Sequence, residues 1–224
     1  MLHLILVDSE IECVPPEIIT HPIIKKSAKK DKKKPGEMLL DSSLHHQALR
    51  QLPQGNRRGR PDIVHIFLLL ANESILNRHG MLRVYIHTRN NEIITVNPTM
   101  RVIKNYNRFK GLCEQLFREK KIPTHGETLM MLEKAPLESL LRKINPDITL
   151  LCSSQGKQKN LQKYLQNKNI ACMIGGFSKG EFLSPIQADV TLSLDTAMLP
   201  AWIVATKIIV TYENNIKKTT WTKK

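Results

Sequence analysis

The stretch RRGRPDIVH, residues 57–65, sets Arg57, Arg58 and Arg60 around a glycine and a proline. One carboxylate, Asp62, then stands at the mouth of an apolar run, 63–71. Guanidinium forks suit phosphate oxygens. A carboxylate among them repels phosphate, so Asp62 has another task. The structural option is to pin Arg58 or Arg60 in a salt bridge, or to cap the loop.

A second stretch, GGFSKG at 175–180, lacks the GK[ST] ending of a Walker loop and the spacing of GxGxxG. Adjacent glycines let a backbone approach a ligand closely; they equally suit a plain tight turn. Arg101, Lys104 and Arg108 follow one another at spacings of three and four. A partly helical segment would put them on one face. Tyr106 lies between them and can stack on a base, whereas Phe109 suits the core. His45 and His46 are adjacent, point apart on a helix, and have no cysteine or carboxylate at ligand spacing, so no metal is expected. His65, inside the apolar run, reads as a hydrogen-bonded core histidine. Cys13, Cys113, Cys152 and Cys172 are scattered without a CxxC pair, which favours buried reduced thiols.

These groups need elements to hold them. LHLILVD (2–8) reads as a buried strand, and SEIECVPPEI (9–18) as a turn with a short helix. The block KKSAKKDKKK (25–34) is too charged to bury area and is expected to be a mobile loop to about 36. A helix with a cap at 41–43 covers 39–52. The run 63–71 reads as a buried strand. RVYIHTRNNEIITV (83–96) predicts a hairpin about Asn90 and Asn91, and 97–112 leads into a helix beginning FKGL. Residues 129–145 read as a helix broken or kinked at Pro136. The last third alternates: strand 147–154, helix 160–169, strand and glycine loop 171–182, strand 190–195, and a final helix from 197. Trp202, Ile203, Lys207 and Ile208 have helical spacing there, fit for core or a subunit interface. The alternation predicts a parallel sheet covered by helices. Ligands then bind beyond the carboxyl ends of the strands, at 153–154, 175–180 and 194–199.

The bulk numbers agree with one ample core in 224 residues. Thirty-four Lys and Arg against 20 Asp and Glu leave a formal charge of +14, which favours a polyanionic partner such as nucleic acid. No apolar run is long enough to span a bilayer. Residues 2–7 lack a basic leader and are followed at once by Asp8, so no signal peptide is expected and the cytoplasm is the expected compartment.

Taken together, MIGGFSKGEF, VTLSLDTAMLPAWIVATKI, RRGRPDIVH, VNPTMRVIKNYNRFKGL and LLDSSLHHQAL resemble the pseudouridine N1-specific ribosomal RNA methyltransferases. These are the nucleolar essential protein family of the SPOUT superfamily. Each segment is modestly specific; the five in this order, over nearly the whole chain, are highly so. The resemblance implies a single α/β domain over 1–224. It would be a SPOUT-type trefoil knot (about 147–212) with a parallel-sheet core and an RNA-gripping hairpin and helix extension (about 83–110). It implies S-adenosylmethionine as methyl donor, held by three loops: Ser153 in the first; Gly175, Gly176 and Gly180 in the second; Leu194, Asp195, Thr196, Ala197, Met198 and Leu199 in the third. Relatives often have tyrosine-proline-leucine near that third loop; here Ala197, Met198 and Leu199 precede Pro200, and because backbone would carry the binding the site is expected to survive the departure.

The resemblance also gives Asp62 a chemical role. Pseudouridine is joined to ribose through carbon, so N1 still bears a proton that must leave before methylation. Asp62 would accept that proton or hold the N–H in register, with Arg57, Arg58 and Arg60 on flanking phosphates. Arg101, Lys104 and Arg108 would bind RNA; arginine is usual at all three places, and Lys104 departs from it. The implied partners are small-subunit ribosomal RNA and a second copy in a homodimer, without metal or membrane. The rival expectations are another RNA uridine as substrate, or a ribosome-assembly factor with secondary or no catalysis.

Overall fold

A computed structural model describes residues 1–166 and 168–217; the end of the expected 1–224 domain and Asn167 lie outside the described residues. Its centre is β1 (Leu2–Ser9), every residue of which is buried. The strand alternates between two cores: Leu2, Leu4 and Leu6 face one hydrophobic cluster, Ile5 and Val7 the other. That two-sided burial is why it reads as a continuous apolar run. β1 pairs in parallel with β2 (Leu82–Thr88) on one side and β7 (Ile170–Gly175) on the other, Leu2 lying opposite both Leu82 and Ile170. Beyond β7 come β6 (Ile148–Gln158) and β8 (Val190–Ser193), also parallel. Beyond β2 the sheet turns antiparallel through β3 (Glu92–Val96), β5 (Met130–Lys134) and β4 (Lys121–Ile122). The order is β4-β5-β3-β2-β1-β7-β6-β8. The parallel half and the hairpin at Asn90 and Asn91 are as expected.

Five expectations are corrected. The run 63–71 is not a strand but most of helix α3 (Pro61–Asn72). A short apolar run cannot separate buried strand from buried helix; Pro61 at the first helical turn, with Asp62 beside it, was the deciding signal. The charge block is not a mobile loop: it falls in α1 (Pro22–Asp31) and a following turn. Ile24 and Ala28, one helical turn apart, are buried against α2 (Ser42–Leu49), while Lys25, Lys26, Lys29 and Lys30 face water. Residues 129–145 divide into β5 and α6 (Leu137–Ile144), with Pro136 capping the helix it was expected to kink. Arg101 and Lys104 lie in an irregular segment before α5 (Tyr106–Glu119), so the three cations do not share one helical face. In place of the helix expected over 160–169, a single 3-10 turn, Leu161–Lys163, forms among the described residues.

The short α4 (Ile75–Arg78) joins α3 to β2. The last helix, α7 (Ala201–Lys217), starts after Pro200 and packs on α3, with Ala205, Ile208 and Tyr212 fully buried. Among the described residues, no helix is long and apolar enough to cross a membrane.

Candidate active site

The three expected strand ends meet at one cavity of about 240 Å³. β6 supplies its first wall through an interruption: its pairing with β8 shifts between Cys152 and Lys157, so 153–156 loops out of register. Gly156 permits this, because a Cβ there would meet the Leu192 backbone at 2.5 Å. The glycine loop after β7 supplies the second wall through Gly175, Phe177, Gly180, Glu181 and Phe182. Gly180 has φ +86°, a left-handed value that glycine adopts without strain. The third wall is the loop from Leu194 to Leu199, folded on itself: the Ser193 hydroxyl donates to the Asp195 carbonyl at 2.5 Å, and the Ala197 amide donates to the Asp195 carboxylate at 3.1 Å. That amide bond holds the Asp195 carboxyl below its ordinary range.

Of the residues expected to hold the donor, Ser153, Gly175, Gly180, Leu194, Asp195, Ala197, Met198 and Leu199 line this cavity. Gly176 and Thr196 do not. Gly176 is a packing glycine, since a Cβ would lie 2.3 Å from Ser9 Oγ. Sequence reasoning missed Phe177 and Phe182, which bracket the glycine loop, and Ala201 and Val204 in the first turn of α7. The aromatic pair flanking SKGE was a usable signal. Cys152 also lines the cavity, but burial pushes its thiol up to about 12, so it is no nucleophile. The walls combine apolar side chains and serine hydroxyls with the polar side chains of Gln155, Glu181 and Asp195.

The basic loop before α3 is anchored to the same edge of the sheet. The Gly176 amide donates to the Val7 carbonyl at 2.7 Å, the Glu10 amide to Gly176 at 3.1 Å, and the Arg60 amide to Glu10 at 2.7 Å. Arg60 caps α3, and its guanidinium forks onto Asp62 through bonds of 2.9 and 2.7 Å. Both side chains stay partly open to water, 27% and 38% exposed. Asp62 does not line the cavity of its own chain.

Arg57 and Arg58 are a correction: they do not offer themselves to phosphate. Both are buried. Arg57 Nε donates to Glu10 at 2.5 Å, and Arg58 donates twice to Glu12 at 2.8 Å. Arg89, from the hairpin turn, takes the other Glu10 oxygen at 2.6 Å. A charge withdrawn from water persists only when paired, and the acids of the turn after β1 provide the pairs.

Arg101, Lys104 and Arg108 are exposed, and among the described residues no ion pair or hydrogen bond engages their side chains. Tyr106 is held by its hydroxyl donating to Asp41 at 3.1 Å, with the Lys110 ammonium 5.0 Å from its ring. Phe109 is fully buried, as expected, and stacks on His65, whose Nε2 lies 2.7 Å from the Ile103 carbonyl. His45 is buried, with Nδ1 accepting from the Asp41 amide; His46 faces water. Among the described residues, no three His, Cys, Asp or Glu side chains gather as metal ligands would.

Comparison with known proteins accounts for this arrangement. The profile of the family described as EMG1/NEP1 methyltransferase matches residues 4–213. "Ribosomal RNA small subunit methyltransferase Nep1" of Methanothrix thermoacetophila is 46% identical over 219 residues, 96% of this chain and 97% of the relative. The protein of that name from Pyrococcus furiosus is 48% identical over 221 residues, 97% and 98% of the two chains. The crystal structure of Archaeoglobus fulgidus Nep1 bound to S-adenosylhomocysteine superposes with a TM-score of 0.85 at 33% identity, covering 95% of this chain and 97% of that one. The fold class is thus the SPOUT-type α/β knot that the resemblance implied. Matched along nearly its whole length in sequence and in structure, the chain belongs to the EMG1/NEP1 methyltransferase family.

Proposed function

We propose that this protein transfers a methyl group from S-adenosylmethionine to N1 of a pseudouridine in small-subunit ribosomal RNA. The observation that carries the reading is the cavity at the ends of β6, β7 and β8, in a chain that superposes on a relative crystallised with S-adenosylhomocysteine. The donor's sulfonium supplies an activated methyl, so the protein's task is to position the acceptor in line with it. The loops at 153–155, 175–182 and 194–199 hold the donor. Asp62 accepts the N1 proton as the carbon–sulfur bond breaks and the carbon–nitrogen bond forms, and the Arg60 fork fixes the direction of its carboxylate. The target base leaves its stack to reach the cleft. Arg101, Lys104 and Arg108, exposed and without an ion pair among the described residues, grip the flanking phosphates.

The working unit is a homodimer. Asp62 lies outside its own chain's cavity, α7 presents Ile203 and Val210, 38% and 46% exposed, and Met198 of the third loop is exposed as well. A second copy packed there would cover these apolar side chains and complete the site. The test is radiolabelled methyl transfer to two RNA hairpins, one with pseudouridine and one with uridine at the same place. Label should enter only the first. Equal labelling would remove the pseudouridine specificity, and RNA binding without label on either would favour an assembly factor.

A further inference from the structure

We infer that Arg57 is a positioning residue of the donor cleft, holding the glycine loop in its binding shape. The inference rests on the donor reading of the cavity and adds a residue to it. Arg57 is 4% exposed, and its one guanidinium makes three kinds of contact. Nε donates to the Glu10 carboxylate at 2.5 Å, which fixes the group to the turn after β1. Nη1 donates to the Glu181 carbonyl at 2.6 Å. The guanidinium carbon lies 4.1 Å from the centre of the Phe177 ring, a cation–π distance. Gly180 packs beside it, since a Cβ there would come within 3.3 Å of Nη1. Phe177, Gly180 and Glu181 all line the cavity.

The loop has few other means of keeping its shape. It contains no helix or strand. At its start Gly176 is tied to β1 by backbone bonds. At its end the Asp8 carboxylate accepts from the Leu183 and Ser184 amides at 2.7 and 3.1 Å and from the Ser184 hydroxyl at 2.6 Å. Between those anchors the Phe177 and Phe182 rings meet edge to face at 5.1 Å, and among the described residues Arg57 is the buried side chain that hydrogen-bonds the loop to the turn after β1; the Gln155–Glu181 bond is exposed. A ligand bound by preformed backbone loses affinity in proportion to the fraction of loop still in the competent shape. A guanidinium can meet Glu10, the carbonyl and the ring together; an ammonium is a point charge and cannot.

The experiment is calorimetric titration of S-adenosylhomocysteine into the full-length protein, paired with RNA binding at several salt concentrations. If loosening leaves about a tenth of the loops competent, Arg57→Gln weakens S-adenosylhomocysteine roughly tenfold. Arg57→Lys, which still reaches Glu10, falls between. RNA affinity and its salt slope stay at the parental values, because the side chain is buried and paired. In steady state, KM for the donor rises while kcat at saturating donor changes little. A folded Arg57→Gln protein with parental affinity for S-adenosylhomocysteine would overturn the inference. So would weaker RNA binding with a flatter salt slope. Should Arg57→Gln fail to fold, Arg57→Lys decides: reduced affinity at an unchanged melting temperature supports the role, and unchanged affinity rejects it. Failure of the unsubstituted protein to bind S-adenosylhomocysteine would instead remove the donor-cleft reading itself.

Discussion

Two basic stretches, 57–60 and 101–108, carry three cations each and look alike in composition. In the folded protein they divide the labour. Arg57 and Arg58 are buried and spent on Glu10 and Glu12, and Arg60 is forked onto Asp62. Arg101, Lys104 and Arg108 stand in water without an acid beside them among the described residues. A charge of +14 is therefore a poor guide to where a polyanion binds. What matters is which cations remain after the buried acids have taken theirs, and an unpaired surface cation still has its full charge to offer a phosphate.

The contrast can be tested from the largest effect down. Asp62→Asn should lower turnover by about 10²- to 10⁴-fold, the usual worth of a positioned proton acceptor, with RNA affinity nearly unchanged. Single-turnover methyl transfer measures it, and full activity in this variant would return Asp62 to a purely structural place beside Arg60. Arg58→Ala takes from buried Glu12 its two-bond partner and leaves it the Arg89 guanidinium at 3.9 Å and the Asn90 amide at 3.5 Å, which should cost about 3 kcal/mol in denaturant unfolding. Arg108→Ala should shift stability by no more than about 0.5 kcal/mol. Similar losses in the two would erase the distinction between the stretches.

Acid unfolding probes the next anchor. Burial would raise the Asp8 carboxyl, but the bonds from Ser184 and Leu183, with the His87 ring beside it, outweigh that and hold it at about 2. A carboxyl lowered on folding adds stability above its ordinary value, near 3.8, and loses it as the pH falls toward 2. About 2–3 kcal/mol should disappear across that window. Asp8→Asn should flatten the acid limb of the stability curve there, and an unaltered limb would mean the carboxylate is not held as described. The smallest effect belongs to the exposed cations: Arg101→Ala and Arg108→Ala should each weaken RNA binding and reduce the salt slope by about one counterion. An unchanged slope would take them off the phosphates.

The alternation of strands and helices in the last third made the cleft legible as a set of strand ends, before any ligand was considered. The chemistry of its walls was not legible, because backbone groups and small side chains leave no motif. Arg57 and Arg58 were misread because their partners, Glu10 and Glu12, sit in a stretch that reads only as a turn, and pairing across some 46 residues has no local signature. The run 63–71 was misread because α3 is wedged between the sheet and α7 and is apolar nearly all round, so the period of 3.6 disappears. The lysine block misled by density of charge: Ile24 and Ala28, two side chains on one face, suffice to seat α1.

β1 is hydrogen-bonded to strands drawn from distant parts of the chain, Leu82–Thr88 and Ile170–Gly175. The earlier segment must therefore wait for a much later one before its central place in the sheet is filled. Such long-range parallel pairing is slow to close, so the catalytic cleft is a late product of folding, and a chain cut short before β7 lacks the shelf on which its glycine loop would rest.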